Sequence, residues 1–188
     1  MTDEERYKAA LRFATEKHSG QYRKGGEPYV THPIAVADML KEKGYGIDYL
    51  IAGLFHDLLE DTNATEEEIE VIGGAKVLEA VKLLTKKKGY VMSEYVAGIR
   101  ANPIAFAVKA ADRLHNLQSA FVASEDFRRR YILESIDWYM DFSPEIPKAV
   151  KALAESLSTP MYSLDLKYHP VEPQEHFHEG GTAVDKEE

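Results

Sequence analysis

The chain has no cysteine. That absence excludes disulfide staples and thiolate metal sites, so any ion bound here must be held by imidazole or oxygen donors. No apolar run approaches the length that spans a bilayer. Strand signals are almost absent, and the glycines fit neither a dinucleotide fingerprint nor a P-loop. Positive charge is also in deficit: 23 Lys and Arg against 32 Asp and Glu give a formal charge of -9. General nucleic-acid binding needs a basic face, so this balance argues against it. It still leaves room for one small phosphorylated ligand gripped by local Arg and Lys. The opening Met1-Thr2-Asp3-Glu4-Glu5 is acidic and polar, unlike a secretory leader. A reducing cytoplasm is the expected location, with no membrane partner.

What the chain does contain is helix punctuation. Thr2 and Thr65 each stand three residues before a Glu, as capping boxes. Tyr7, Ala10, Leu11 and Ala14 follow the first box as an apolar stripe, and that helix is expected to end near His18-Ser19-Gly20. His18 reads as a cation at a helix C-terminus. Pro33 suits the first turn of a second helix running to Gly44, with His32 just before it. Asp48 reads as the cap of a third helix that continues unbroken through Leu50–Thr62. Gly73-Gly74 stops the helix opened at Thr65. Further helices are expected behind Val77, from Ser93 to Asn102, from Pro103 to about Ala123, over 126–141, and over 143–157. The fold class is therefore all-α. At 188 residues it is one domain, large enough for a sizeable core. Residues 1–160 form that domain, and 161–188 read as a polar, flexible tail. His169, His176 and His178 lie in or near the tail without the spacing of a formed site.

Within the third helix an apolar run, Leu50 to Phe55, meets four ionisable groups in six residues: His56, Asp57, Glu60 and Asp61. On a helix His56 and Glu60 stand one turn apart, as do Asp57 and Asp61. Three carboxylates this close repel one another unless something positive sits among them, and a divalent metal answers that. The His-Asp pair alone would better suit a polar helix end. Two other stretches change the balance, because each places one ligand-type residue in an apolar context: His32 and Asp112. Two imidazoles and two carboxylates make a four-ligand site with positions left for water and substrate. Arg113 is adjacent to Asp112 but cannot face it along a helix, so a metal is the better partner. His115 reads as a packing or backbone-bonded residue, not a ligand.

These three stretches are Arg23-Lys24-Gly25-Gly26-Glu27-Pro28-Tyr29-Val30-Thr31-His32-Pro33, His56-Asp57-Leu58-Leu59-Glu60-Asp61-Thr62 and Ala111-Asp112-Arg113-Leu114-His115-Asn116. In that order they resemble the RKxGxPYxxHP, HDxxEDT and ADRLHN motifs of HD-domain metal-dependent phosphohydrolases. The match is closest to the hydrolase domain of the RelA/SpoT family and its small single-domain relatives, over roughly residues 1–155. The resemblance implies an HD-type helical fold and one divalent ion, usually manganese, on His32, His56, Asp57 and Asp112. It implies hydrolysis of guanosine 3′,5′-bis(diphosphate) at the 3′ ester, giving GDP and pyrophosphate. Glu60 and Asp61 would orient or deprotonate the attacking water.

Arg23 and Lys24 would hold the nucleotide, Arg being able both to fork onto oxygens and to stack on a flat ring. Asn116 and Ser119 would line the pocket near sugar or base. Lys86-Lys87-Lys88 reads as a solvated helix end, with attraction of a polyphosphate as the sharper alternative. The stretch between Leu84 and Asn102 is short against the long bifunctional relatives, and Trp138 to Pro147 matches poorly. Both departures keep another nucleotide as the alternative substrate, and a non-catalytic nucleotide-binding module as the rival from a different class. The oligomeric state is not legible.

Overall fold

The computed structural model describes residues 1–161. The expected tail from 162 onward lies outside the described residues, with His169, His176 and His178. Helices run in the order α1 (Asp3–Lys17), α2 (Thr31–Glu42), α3 (Ile47–Phe55), α4 (Leu58–Asp61), α5 (Glu66–Gly73), α6 (Ala75–Leu84), α7 (Met92–Ala101), α8 (Pro103–Ser119), α9 (Glu125–Trp138) and α10 (Ile146–Glu155). A short 3-10 turn, Ala120–Val122, extends α8. Among the described residues there is no strand, and no helix long and apolar enough to cross a membrane. The all-α reading holds.

Caps fix most boundaries where the sequence puts them. Both capping boxes form, at Thr2 with Glu5 and at Thr65 with Glu68. Gly74, at φ +88°, ends α5 in a conformation that L side chains avoid. The Asn102 side chain accepts from the N–H groups of Ile104 and Ala105, both at 3.0 Å, and Pro103 occupies the first turn of α8.

Several boundaries differ from expectation: the helices expected to end near Ala123, at 141 and at 157 end at Ser119, Trp138 and Glu155. His32 lies inside the first turn of α2, not before it. Gly46, not Asp48, precedes α3, and Asp48 instead pairs with Arg6 at 2.8 Å. The last helix begins at Ile146 instead of Ser143, with Pro147 in its first turn. The largest difference is in the third helix. It stops at Phe55, turns through His56 and Asp57, and restarts as the single turn α4. His56 donates from Nδ1 to the Gly53 carbonyl at 2.7 Å, while the Asp57 carbonyl accepts from the N–H of Asp61 at 2.9 Å. The break presents His56 and Asp57 together at a helix end, an arrangement a continuous helix would not give.

α3 is the centre of the fold. Every residue from Leu50 to Phe55 is buried, and α1, α2, α5, α6 and α8 all pack on it. A helix buried on all faces needs no amphipathic stripe. Gly53 lets α2 come close: a Cβ there would stand 3.0 Å from Leu40 and 3.4 Å from the backbone of Ala37. That approach carries His32, on α2, toward the end of α3. α8 packs on both α2 and α3 and brings Asp112 to the same point.

Candidate metal centre

His32, His56, Asp57 and Asp112 come from three separate motif stretches and meet at one place. Nε2 of His32 and Nε2 of His56 are 3.2 Å apart. Oδ2 of Asp57 lies 3.0 Å from His56 Nε2 and 3.8 Å from His32 Nε2. Oδ1 of Asp112 lies 3.2 Å from His32 Nε2 and 3.7 Å from His56 Nε2. The ligand atoms of His32, His56 and Asp57 all lie within 4.8 Å of one another, close enough to share one divalent ion, and Asp112 meets the same two imidazoles from α8 without joining that tight group. Both imidazoles and Asp112 are buried, while Asp57 is partly exposed.

Each of the four is held from behind. A carbonyl can only accept, so the 2.7 Å contact to Gly53 puts a proton on His56 Nδ1 and leaves Nε2 to face the centre. His32 Nδ1 meets Nδ1 of His115 at 2.8 Å. The His115 pKa is lowered to about 4, first by burial and then by His32 and Arg23. His115 therefore stays neutral and can accept from His32. Asp57 Oδ2 accepts from the Tyr29 hydroxyl at 2.6 Å. Asp112 accepts from Lys109 Nζ at 2.9 Å and from Asn116 Nδ2 at 2.8 Å. The cation that faces Asp112 is thus Lys109, one turn earlier. Arg113 is buried elsewhere, between the rings of Tyr131 and Tyr139 with Glu134 at 2.5 Å.

Burial disfavours the charged form of every group here, and the neighbours decide the outcome. For His56, Asp57 and Asp112 outweigh burial and raise the pKa well above the ordinary value. His32 is lowered, chiefly by burial. Asp57 and Asp112 are both held below the usual carboxylate range against their own burial. For Asp57 the largest opposing influence is the charge of His56; for Asp112 it is that of Lys109. Both carboxylates therefore stay ionised, the form in which they can ligate a cation.

Glu60 and Asp61 lie on α4, three and four residues after Asp57. Glu60 Oε2 accepts from the backbone N–H of Lys86 at 3.1 Å. Asp61 Oδ2 accepts from Tyr29 at 3.2 Å, so one hydroxyl touches both Asp57 and Asp61. Behind it, His18 packs on the Tyr29 ring with centroids 4.8 Å apart. His18 Nδ1 donates to Gln21 Oε1 at 2.7 Å, and Gln21 Nε2 donates to the Asp61 carbonyl at 2.7 Å. His18 does follow α1 as its cap, but it is buried and its pKa is lowered, first by burial. The reading of it as a charged helix cap is therefore replaced by a packing role.

The Gly-rich loop is a small hairpin. Arg23 N donates to Glu27 O at 2.8 Å and Tyr29 N to Gln21 O at 2.9 Å, around Gly26 at φ +93°. It sends Arg23 to Ser119 Oγ at 2.9 Å and Asn116 Oδ1 at 3.4 Å. Three of the four expected substrate-side residues are therefore together. Lys24 is placed differently: its ammonium lies 3.8 Å from the centre of the Phe127 ring on α9. Tyr29, Lys109 and the contact of His115 with His32 escaped the sequence reading. Tyr29 lies inside the first motif, three residues before His32, which was the available signal.

A family model described as "HD domain" matches residues 10–143. A protein of Myxococcus xanthus named GTP pyrophosphokinase is 34% identical over 90% of this chain and 23% of its own length. One of Aquifex aeolicus, named guanosine-3′,5′-bis(diphosphate) 3′-pyrophosphohydrolase, is 38% identical over 72% of this chain and 20% of its own. The chain spans about a fifth of the length of these curated relatives. A solved structure, described as a metazoan ortholog of SpoT that hydrolyses ppGpp, superposes with a TM-score of 0.66. It covers 80% of this chain and 94% of that one, at 24% identity, and shows a shared fold.

Proposed function

The chain belongs to the HD-domain family, and from that premise we propose that it is a metal-dependent phosphohydrolase acting on guanosine 3′,5′-bis(diphosphate). It would release GDP and pyrophosphate by cleavage at the 3′ ester. Relatives from Aquifex aeolicus, Haemophilus influenzae and Escherichia coli that carry the name of this activity are 31–38% identical to it. The observation that carries the reading is the convergence of four nitrogen and oxygen donors beside two further carboxylates, Glu60 and Asp61. A module that only binds nucleotide needs no such acidic pair.

His32, His56, Asp57 and Asp112 are the residues that would hold the ion, and manganese is the ion that the family resemblance implies. Such an ion lowers the pKa of a water and polarises a phosphoryl oxygen. The chain's own groups do the rest. Asp61, fixed by Tyr29 and by Gln21 at its carbonyl, and Glu60, fixed by the Lys86 N–H, take the proton of the attacking water and guide its approach. Arg23, braced on Asn116 and Ser119, offers a guanidinium face for a purine or a fork for phosphate oxygens. The cytoplasm, where such nucleotides occur, is the proposed location.

The test is a turnover assay over a panel of nucleotides with added manganese. Hydrolysis of the bis(diphosphate) to GDP and pyrophosphate is expected. Glu60→Gln and Asp61→Asn should each lower kcat about a hundredfold, the scale of lost acid–base help, with metal content near normal. Activity confined to another nucleotide would overturn the substrate assignment; none on any would favour the binding module.

A further inference from the structure

Glu60 adjoins a second cationic feature, whose side chains the reading above does not use. Lys86, Lys87 and Lys88 follow the C-cap of α6. Gly89, at φ +79°, closes a turn in which the Tyr90 N–H donates to the Lys87 carbonyl at 3.0 Å. The Lys86 N–H bond to Glu60 fastens this turn to α4. A cavity of about 560 Å³ lies there, lined among others by Glu60, Glu66, Lys82, Lys86, Lys87 and Lys88. Lys82 is paired with Glu66 at 2.6 Å. Lys86 lies over the rings of Tyr90 and Tyr95, at 5.2 and 5.6 Å. Lys87 and Lys88 are exposed, and among the described residues neither is paired with a carboxylate.

Lysines at a helix end ordinarily complement the negative end of the helix dipole and stay solvated. This turn differs because its backbone holds a carboxylate of the candidate site and its side chains wall a cavity next to it. Its place along α8 gives that cavity a direction. Arg23 reaches Asn116 and Ser119, both beyond Asp112. Lys86 shares the ring of Tyr95 with Lys109, which stands three residues before Asp112. At a rise of about 1.5 Å per residue, the stretch from Lys109 to Ser119 measures about 15 Å, with Asp112 between. Along α8 the two cationic groups thus reach positions on either side of Asp112.

We propose that the turn Lys86–Lys88 is the seat of the diphosphate group being transferred, with Arg23 at the nucleoside end. The inference rests on the bis(diphosphate) reading. In that hydrolysis the water oxygen bonds to the proximal phosphorus and the bond from phosphorus to the 3′ oxygen breaks. The 3′ oxygen leaves as the hydroxyl of GDP, taking one proton, and the water oxygen remains in pyrophosphate. The distal phosphate does not react, so the ammonium groups of the turn can hold it throughout, and pyrophosphate is the product that the lysines retain.

Calorimetric titration of inorganic pyrophosphate into the full manganese-loaded chain reads this seat without turnover. In Lys87→Ala/Lys88→Ala the Kd for pyrophosphate should rise about tenfold, the scale of lost charge-assisted contacts at a partly exposed site. Lys88→Glu should weaken it at least as much, and GDP binding should change less than twofold. Unchanged pyrophosphate affinity in both variants overturns the proposal. Equal weakening of GDP also overturns it, because the lysines would then serve the 5′ diphosphate. Wild-type protein that leaves the bis(diphosphate) uncut yet binds pyrophosphate through these lysines sinks the substrate reading and leaves the seat standing. Cleavage with lysine-independent pyrophosphate binding sinks the seat alone.

Discussion

Tyr29 shows how much a single residue can organise here. Its hydroxyl has one proton and two carboxylate neighbours, Asp57 at 2.6 Å and Asp61 at 3.2 Å. Burial and these charges push its pKa well up, with burial the larger cause, so it remains a donor throughout the working range. Loss of that donor frees two like charges to separate. Tyr29→Phe is expected to weaken metal binding about tenfold, the scale of losing a partner behind a ligand. It should also lower kcat more than it changes KM, because Asp61 loses its anchor while Arg23 does not. Metal titration and steady-state kinetics check this; a change confined to KM would place Tyr29 at the substrate instead. The four proposed ligands were legible in the sequence because imidazole and carboxylate in apolar surroundings need a reason. Tyr29 was not, because a tyrosine beside a proline reads as packing until its hydroxyl is seen to have partners.

At the scale of elements, α8 and α9 are joined by a buried cation. Arg113 is 2% exposed, with Tyr131 and Tyr139 each 4.1 Å from its guanidinium carbon and Glu134 at 2.5 Å. Against its own burial, the Glu134 pKa is lowered to about 2, chiefly by Arg113. A depressed acid contributes stability above its unfolded value and loses it as the pH falls through the folded one. Glu134→Gln should therefore cost about 2 kcal/mol at pH 7, below the cost of breaking a fully buried pair because the carboxylate is partly exposed. The gap from wild type should narrow as pH falls from about 4.5 toward 2. Urea unfolding at several pH values reads this, and a gap independent of pH would mean that the amide N–H donors placed against the Arg113 guanidinium, not the lost charge, are responsible. The same elements show where pattern reading fails. Caps and glycines marked the ends of α1, α5 and α8 because those signals act within a few residues. The break between α3 and α4 has no such signal, since it depends on His56 bonding the Gly53 carbonyl and on what faces Asp57.

For the whole molecule, the proposed centre would couple folding to cation binding. The unfolded chain holds no preformed set of these four donors, so an ion that binds only the folded state stabilises it. At a hundredfold excess over Kd this amounts to about 2.7 kcal/mol, or a rise in Tm of about 5–10 °C for a domain of this size. Calorimetry with manganese and with a chelator should show that difference, and Asp112→Ala should abolish it. An equal shift in Asp112→Ala would mean that the ion binds elsewhere.

The sequence by itself determined the helical class, most helix ends and the chemical types gathered in three motifs. It could do so because periodicity, caps and ligand spacing are local properties of the chain. The tertiary structure decided what those types do together. Gly53 lets α2 approach α3, and α8 packs across both, so His32, His56 and Asp112 meet from positions up to 80 residues apart. It also decided the partners: Lys109 and not Arg113 for Asp112, His115 for His32, and Tyr29 between Asp57 and Asp61. Such choices depend on which faces of packed helices meet, and no spacing along one chain specifies that.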